Sequence, residues 1–140
     1  MRTTRRQADE EGSVLLLALG YALLAIAVIL VCVCATDLYI AQKRLDSVAD
    51  SAALAGADGF TLSIDDRGPR AELTDDGVRE QVEALLAVIP GEATLVSAGT
   101  PDGVSARVTV AGVWHPPLLS PFVPEGVPLE ATGTSRTALQ

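Results

Sequence analysis

The stretch "RLDSVADSAALAGAD", Arg44–Asp58, decides how this chain is built. Eight of its fifteen residues are Ala, Ser or Gly, and it follows closely on a long apolar run. On a helix at ~100° per residue, Leu38, Ala41, Leu45, Val48, Ala49, Ala52, Ala55 and Gly56 fall within one arc of about 120°. Lys43, Asp46, Ser47, Asp50, Ser51 and Asp58 fall outside that arc, and Ala57 lies on the opposite side. The period predicts an amphipathic helix with one face paved by small side chains. Such a face buries little area, but it lets the backbone of another element come close. Alanine also keeps an exposed helix intrinsically stable. The face expected to lie under the rest of the body is Leu45, Val48, Ala49, Ala52, Ala55 and Gly56.

Upstream, no charged residue occurs between Gly12 and Thr36, and Val14–Ala35 is apolar apart from Gly20 and Tyr21. A helix needs about 20 such residues to cross a bilayer core roughly 30 Å thick, and in lipid only a helix satisfies its own backbone. No proline or turn dipeptide separates this segment from the alanine-rich stretch. One helix from about Ser13 to Ala57 is therefore expected, roughly 67 Å long at ~1.5 Å per residue. The organisation read from the sequence is a short charged N-terminus (1–12), a single transmembrane helix (13–36), its extracytoplasmic continuation (37–58) and a small body (59–140). Arg2, Arg5 and Arg6 precede the span, while Lys43 and Arg44 follow it. That balance of Lys and Arg puts the N-terminus in the cytoplasm and the body outside the cell membrane.

The alternative is a signal peptide cleaved after Ala35, which would release a secreted, non-catalytic binding module. Its small residues before Thr36 are acceptable for cleavage, but the apolar region is long for a signal, and Asp9, Glu10 and Glu11 stand just before it. Within the span, Ala18, Ala22, Ala25, Cys32 and Thr36 form a stripe of small residues interrupted by Ile29, suited to packing against another membrane helix. On the same wheel the stripe points about 165° away from the alanine face. Cys32 and Cys34 are the only cysteines, and two positions apart on a helix they cannot pair with each other.

The body reads as α+β. "DDRGPR" at 65–70 is expected to be a loop because of its Gly-Pro. Thr74 is a good N-cap, followed by Asp75 and Asp76, and Val78, Val82, Leu85, Leu86 and Ile89 then recur at helical spacing until Pro90-Gly91. Ala93–Ala98, Val104–Val110 and Val127–Ala138 read as strands, with "GTPDG" (99–103) a turn and a proline-rich loop between the last two strands. The expected architecture is a long N-terminal transmembrane helix continuing into an amphipathic helix. A small unit of one helix and a two- to three-stranded antiparallel sheet follows, its sheet covered by the alanine face.

Chemistry is sparse. His115 is the only histidine, and no nucleophile elbow, phosphate-binding glycine loop or calcium-loop spacing is present, so no enzyme, no cofactor and no metal site is expected. The net charge is −8, carried by the residues after the span, which argues against nucleic acid and against anionic lipid. No small-molecule substrate is indicated. Trp114, Leu118, Leu119 and Phe122 in the proline-rich loop are candidate contacts with another subunit.

Residues 12–57 resemble the N-terminal segment of the TadE/TadG-like proteins of Tad (Flp) pilus assembly. That segment has a Gly and an apolar helix, then an Asp, then a run of the form Y-x-A-x-x-x-L-x-x-x-A-D-x-A-A-L-A-x-A. Asp37, Tyr39, Ala41, Leu45, Ala49, Asp50, Ala52, Ala53, Leu54, Ala55 and Ala57 fit it position by position. The resemblance implies a bacterial, membrane-anchored, pilin-like component of a pilus or secretion assembly, whose partners are the other subunits. TadE-type members have a Glu at the fifth position after the Gly, where this chain has Leu17, and Ser13 follows Gly12. The chain leans to the TadG-like side, an anchored component rather than a polymerising pilin.

Overall fold

A computed structural model describes residues 4–66 and 68–136. The chain divides into two compact units, Met1–Asp37 and Leu38–Gln140. One helix, α1, runs through Thr4–Ala57 and contributes to both. It starts before the Ser13 expected from the sequence. Part of the charged N-terminal segment, residues 1–3, lies outside the described residues. In the first unit the apolar part of α1 reaches a mean hydropathy of 3.0 with none of that stretch buried. Among the described residues this is the one helix long and apolar enough to cross a membrane.

The second unit is α+β. After α1 come strands β1 (Phe60–Asp65) and β2 (Gly68–Leu73), helix α2 (Asp75–Val88), and strands β3 (Thr94–Gly99), β4 (Ser105–Trp114) and β5 (Val127–Arg136). Residues 137 and 138, expected to finish the last strand, lie outside the described residues. The sheet order β3-β4-β5 is antiparallel throughout with β4 in the centre, and β3 carries a register shift between Leu95 and Ser97.

The segment 65–70 is not the loop expected from its Gly-Pro. β1 and β2 form an antiparallel hairpin that closes at the pair Asp65↔Gly68. Gly68 has φ 112°, a backbone that glycine adopts readily, and Pro69 is tolerated because a two-stranded ribbon leaves each strand an open edge. The apolar alternation Phe60, Leu62, Ile64 was the period-2 signal of this hairpin.

Helix α2 forms for the local reasons visible in the sequence. Thr74 is extended at the N-cap, and its Oγ1 accepts a hydrogen bond from Gly77 N at 3.2 Å. Asp75 and Asp76 sit in the first turn, where the helix dipole favours negative charge. The helix stops ahead of Pro90, with Ile89 N donating to Leu85 O at 3.1 Å. Val78 and Val82 are fully buried, and Leu85 and Leu86 are half-buried.

The core joins three layers within the second unit. The helix supplies Leu45, Ala49, Ala52, Ala53 and Ala57, α2 supplies Val78 and Val82, and the inner face of the sheet supplies Ala106, Val108, Val110 and Ala131. The largest fully buried side chains are all valines. A core of such small parts coheres only if the backbones come close, because each side chain makes few dispersion contacts. The closest approach is at Gly133 on β5. A Cβ placed there would overlap Ala49 O, and it would lie 2.5 Å from Ala49 C and 2.8 Å from Asp50 N. Helix backbone thus rests directly on strand backbone.

Replacing Gly133 with Ala should cost about 3 kcal/mol, at the upper end of overpacking penalties, because the atoms in the way are backbone and cannot rotate aside. The check is denaturant unfolding of the protein in detergent micelles, followed by Trp114 fluorescence. An unchanged midpoint would mean that the helix can lift off the sheet freely.

Candidate functional site

The feature that organises the second unit is the small-residue face of α1 with its cover. Of the positions expected on that face, Leu45, Ala49, Ala52 and Gly56 are buried, while Val48 and Ala55 are half-buried. Two further alanines are also buried. Ala53 is fully so, and Ala57 is only 2% exposed although the wheel put it on the opposite arc. The buried stripe therefore turns around the helix toward its C-terminal end. The cause is a second covering element. At Gly56 a Cβ would stand 2.9 Å from Val78 Cγ1 and 3.4 Å from both Val82 Cγ2 and Ala106 Cβ, so α2 as well as the sheet closes over this turn. Just beyond, Gly59 and Gly77 are pressed backbone to backbone, and a Cβ on either would be 2.6 Å from the other's carbonyl oxygen. A wheel sees one helix at a time and cannot register this.

The sheet meets α1 at several levels between Gln42 and Gly56. Gly112 of β4 faces Leu45, where a Cβ would lie 3.4 Å from Leu45 Cδ1. Gln42 Nε2 donates to Glu130 O at 3.0 Å and to Asp46 Oδ1 at 3.0 Å, tying the helix to β5. Lys43 Nζ reaches Asp46 Oδ2 at 3.1 Å. The Gln42 and Lys43 hydrogen bonds together hold the Asp46 carboxyl below its usual range, and the Asp46 contact holds the Lys43 ammonium above its own. Sequence reasoning missed Gly112 and Gly133. Their signal is a glycine on the inward phase of a strand, where it weakens the strand unless another backbone needs the space.

Beside this contact lies an open cleft of about 390 Å³ between Leu45 and Val48 of α1, Leu86 of α2 with its C-cap Ile89, and Gly112 and Leu129 of the sheet. Its only charged lining residues are Arg44 and Glu92. Nothing in it pairs a nucleophile with a base. Among the described residues, no group of three or more His, Cys, Asp or Glu is placed to hold a metal ion.

The turn at 99–103 is fastened from two sides. Asp75 Oδ1 accepts from Thr100 N at 2.7 Å, and Gly103 O accepts from Leu73 N at 3.0 Å, which links α2 and the hairpin to the start of β4. Inside the turn, Asp102 Oδ1 accepts from Ser105 N at 2.6 Å and from Val104 N at 3.0 Å, and its Oδ2 accepts the Ser105 hydroxyl at 2.9 Å. These bonds, that from Ser105 N first, favour the ionised form and hold the Asp102 carboxyl below its ordinary value.

The other expected site residues are elsewhere. Ala18, Ala22, Ala25, Cys32 and Thr36 all lie exposed on the first unit's part of α1, as does Ile29, and Thr36 Oγ1 donates to Cys32 O at 2.9 Å within the helix. In the β4–β5 loop, Leu118, Leu119 and Phe122 are exposed, whereas Trp114, expected in that loop, is half-buried at the end of β4, paired with Val127. His115 is exposed.

Residues 12–59 match the family Tad, described as Flp pilus-assembly TadE/G-like. The matched segment covers about a third of the chain, and it contains the apolar helix, the small-residue face and the two residues after α1. It supports a pilus-related role and an association with membrane and pilus components. No curated protein and no solved structure matches the chain.

Ala52→Glu and Ala57→Glu should each open the core to protease, since an unpaired carboxylate in either place costs several kcal/mol. Leu54→Glu, at a position 60% exposed, should leave the digestion pattern unchanged. Equal protection of all three variants would contradict the packing described above. For Asp102, a carboxyl whose native pKa is depressed contributes stability above its ordinary value of 3.8 and loses it as pH falls through the lower native value. Asp102→Asn should therefore lower the melting temperature at neutral pH and flatten the acid limb below about pH 4, as read in melts across pH.

Proposed function

We propose that the protein is a membrane-anchored, pilin-like structural component of a Tad/Flp-type pilus or secretion assembly. Its anchor is the apolar segment of α1, single-pass, with the N-terminus in the cytoplasm and the second unit outside. Its working surfaces are packing surfaces. The stripe Ala18, Ala22, Ala25, Cys32 and Thr36 offers a close approach to a sibling helix, while the face from Leu45 to Gly56 holds the protein's own body. The reading assigns it no catalytic step and no small-molecule substrate.

The observation that carries this reading is where the family match falls. It covers the apolar helix and the small-residue face together, and the second of these is the surface over which the sheet closes at Ala49 and Gly133. In the secreted alternative the first half of that segment would serve only as an export signal and would be absent from the mature protein.

Intact mass of the protein from membrane and culture fractions tests the anchor. The expected result is a membrane-bound form that retains residues 12–57; a mature N-terminus at Thr36 would establish the secreted alternative instead. Cells lacking the protein should lose or shorten a surface filament, and normal filaments in such cells would remove the assembly role. Ala22→Leu with Ala25→Leu should weaken a Cys32 cross-link between siblings while leaving the body folded. An undiminished cross-link would mean that the stripe faces lipid only.

A further inference from the structure

We propose that the β4–β5 loop, residues 115–126, rests in the lipid surface and presents Leu118, Leu119 and Phe122 to the headgroup and upper acyl region. The proposal rests on the membrane-anchored reading above and adds a second, peripheral membrane contact made by the body itself.

Position comes first. Gly133 lies against Ala49 and Asp50, and Gln42 donates to Glu130 O, so three residues of β5 run alongside seven of α1 in the same direction. Those lengths agree, each being about 10 Å. Continuing the same way, β5 begins at Val127, three residues and about 10 Å beyond Glu130. The second unit's part of α1 begins at Leu38, four residues and about 6 Å beyond Gln42. The loop therefore leaves the sheet at the end of the unit from which the chain passes into the apolar segment.

Composition agrees with that position. From Trp114 to Pro124 there is no Asp, Glu, Lys or Arg, and His115 is the one titratable side chain, in a chain of net charge −8. Phe122 is 81% exposed and Leu118 52%, with no core role to explain them. The loop is fixed rather than loose, since Phe122 N and Val123 N both bond to Leu119 O, at 2.9 and 3.0 Å, and Gly126 N bonds to Val123 O at 3.1 Å. Pro116, Pro117, Pro121 and Pro124 carry no N–H at all, which lowers the cost of taking this backbone out of water. Tyr39 lies at the same end of the unit and is 63% exposed, with the Lys43 ammonium 5.9 Å from its ring centre. An aromatic ring beside a cation is the usual furniture of the membrane–water interface. The one Asp, Glu, Lys or Arg within the loop is Glu125, exposed at its end next to β5 and outside the run from Leu118 to Phe122.

The test uses the full chain reconstituted in phosphatidylcholine vesicles. Trp114 is the only tryptophan and borders the loop. A second reporter, Phe122→Trp with Trp114→Phe, places the fluorophore at its tip, and Val96→Trp with Trp114→Phe places one on β3 as a control. Phosphatidylcholine brominated near the glycerol end of its chains should remove most of the emission at position 122, quench Trp114 less, and leave position 96 unaffected. Leu118→Ser with Phe122→Ser should release Trp114 from that quenching, with circular dichroism unchanged. If the chain floats with the vesicles but the loop reporters stay unquenched and open to acrylamide, the loop proposal fails and the anchor stands. Shielding that depends on protein density and not on bromination would assign the loop to a second copy and overturn the proposal. A chain that does not float at all would overturn both readings.

Discussion

The contact between the Ala49 backbone and Gly133 is the constraint on which the rest of the second unit depends. A helix with larger side chains at this level would stand off from the sheet, and the valines of α2 and β4 are too short to bridge the added gap. Because the largest fully buried side chains are Val78, Val82, Val108 and Val110, cohesion comes from many close contacts rather than from a few bulky anchors. The same logic explains the glycines. Gly56, Gly59, Gly77, Gly112 and Gly133 all stand where a side chain would meet a neighbouring element within 3.4 Å. Glycine normally weakens a helix or strand interior by roughly 0.5–1 kcal/mol, and here the loss is offset by the approach it permits.

It follows that α1 is part of the body's core and not a stalk on which a finished domain stands. The five core residues it contributes lie on the stretch that also completes the family match. A body built this way cannot fold ahead of its helix, and a cut near Asp58 would remove one wall of the core. A cut after Ala35 would spare that wall, since Leu45 to Ala57 would remain. The secreted alternative is thus structurally sound, and the fate of the apolar segment decides between the two readings.

What could be read from the sequence follows from how local each signal is. The span, the amphipathic face and α2 with its Thr74 cap are written in periods and caps that need only neighbouring residues, and all three appear in the sequence. The hairpin Phe60–Leu73 was hidden because Gly68-Pro69 reads as a break, whereas in a two-stranded ribbon both residues are tolerated in place. Ala57 was placed on the solvent side because a helical wheel assumes one covering surface. The sheet covers the helix near Leu45 and Ala49, and α2 joins it at Gly56, so the buried stripe turns. Gly112 and Gly133 had no local signal beyond being glycine on an inward phase, since the groups that need their space, the Leu45 side chain and the Ala49 backbone, lie more than sixty residues away in the chain. The small-residue face was legible in outline, but its partners were not.

The distribution of charge bears on how such a unit meets anything else. Asp50, Asp58, Asp76, Glu80 and Glu83 are all exposed, and the chain as a whole repels its own copies at a distance. That repulsion is screened beyond about 8 Å at physiological ionic strength, so assembly rests on short-range fit. Short-range fit is what the uncharged surfaces supply: the small-residue stripe of the apolar helix and the proline-rich loop. The stripe carries no acidic residue and the loop carries one, Glu125 at its end, whereas acidic residues crowd α2 and the outer face of α1. Charge therefore keeps the solvent-facing sides apart, and the surfaces left bare of it are those able to make lasting contact with lipid or with a sibling chain.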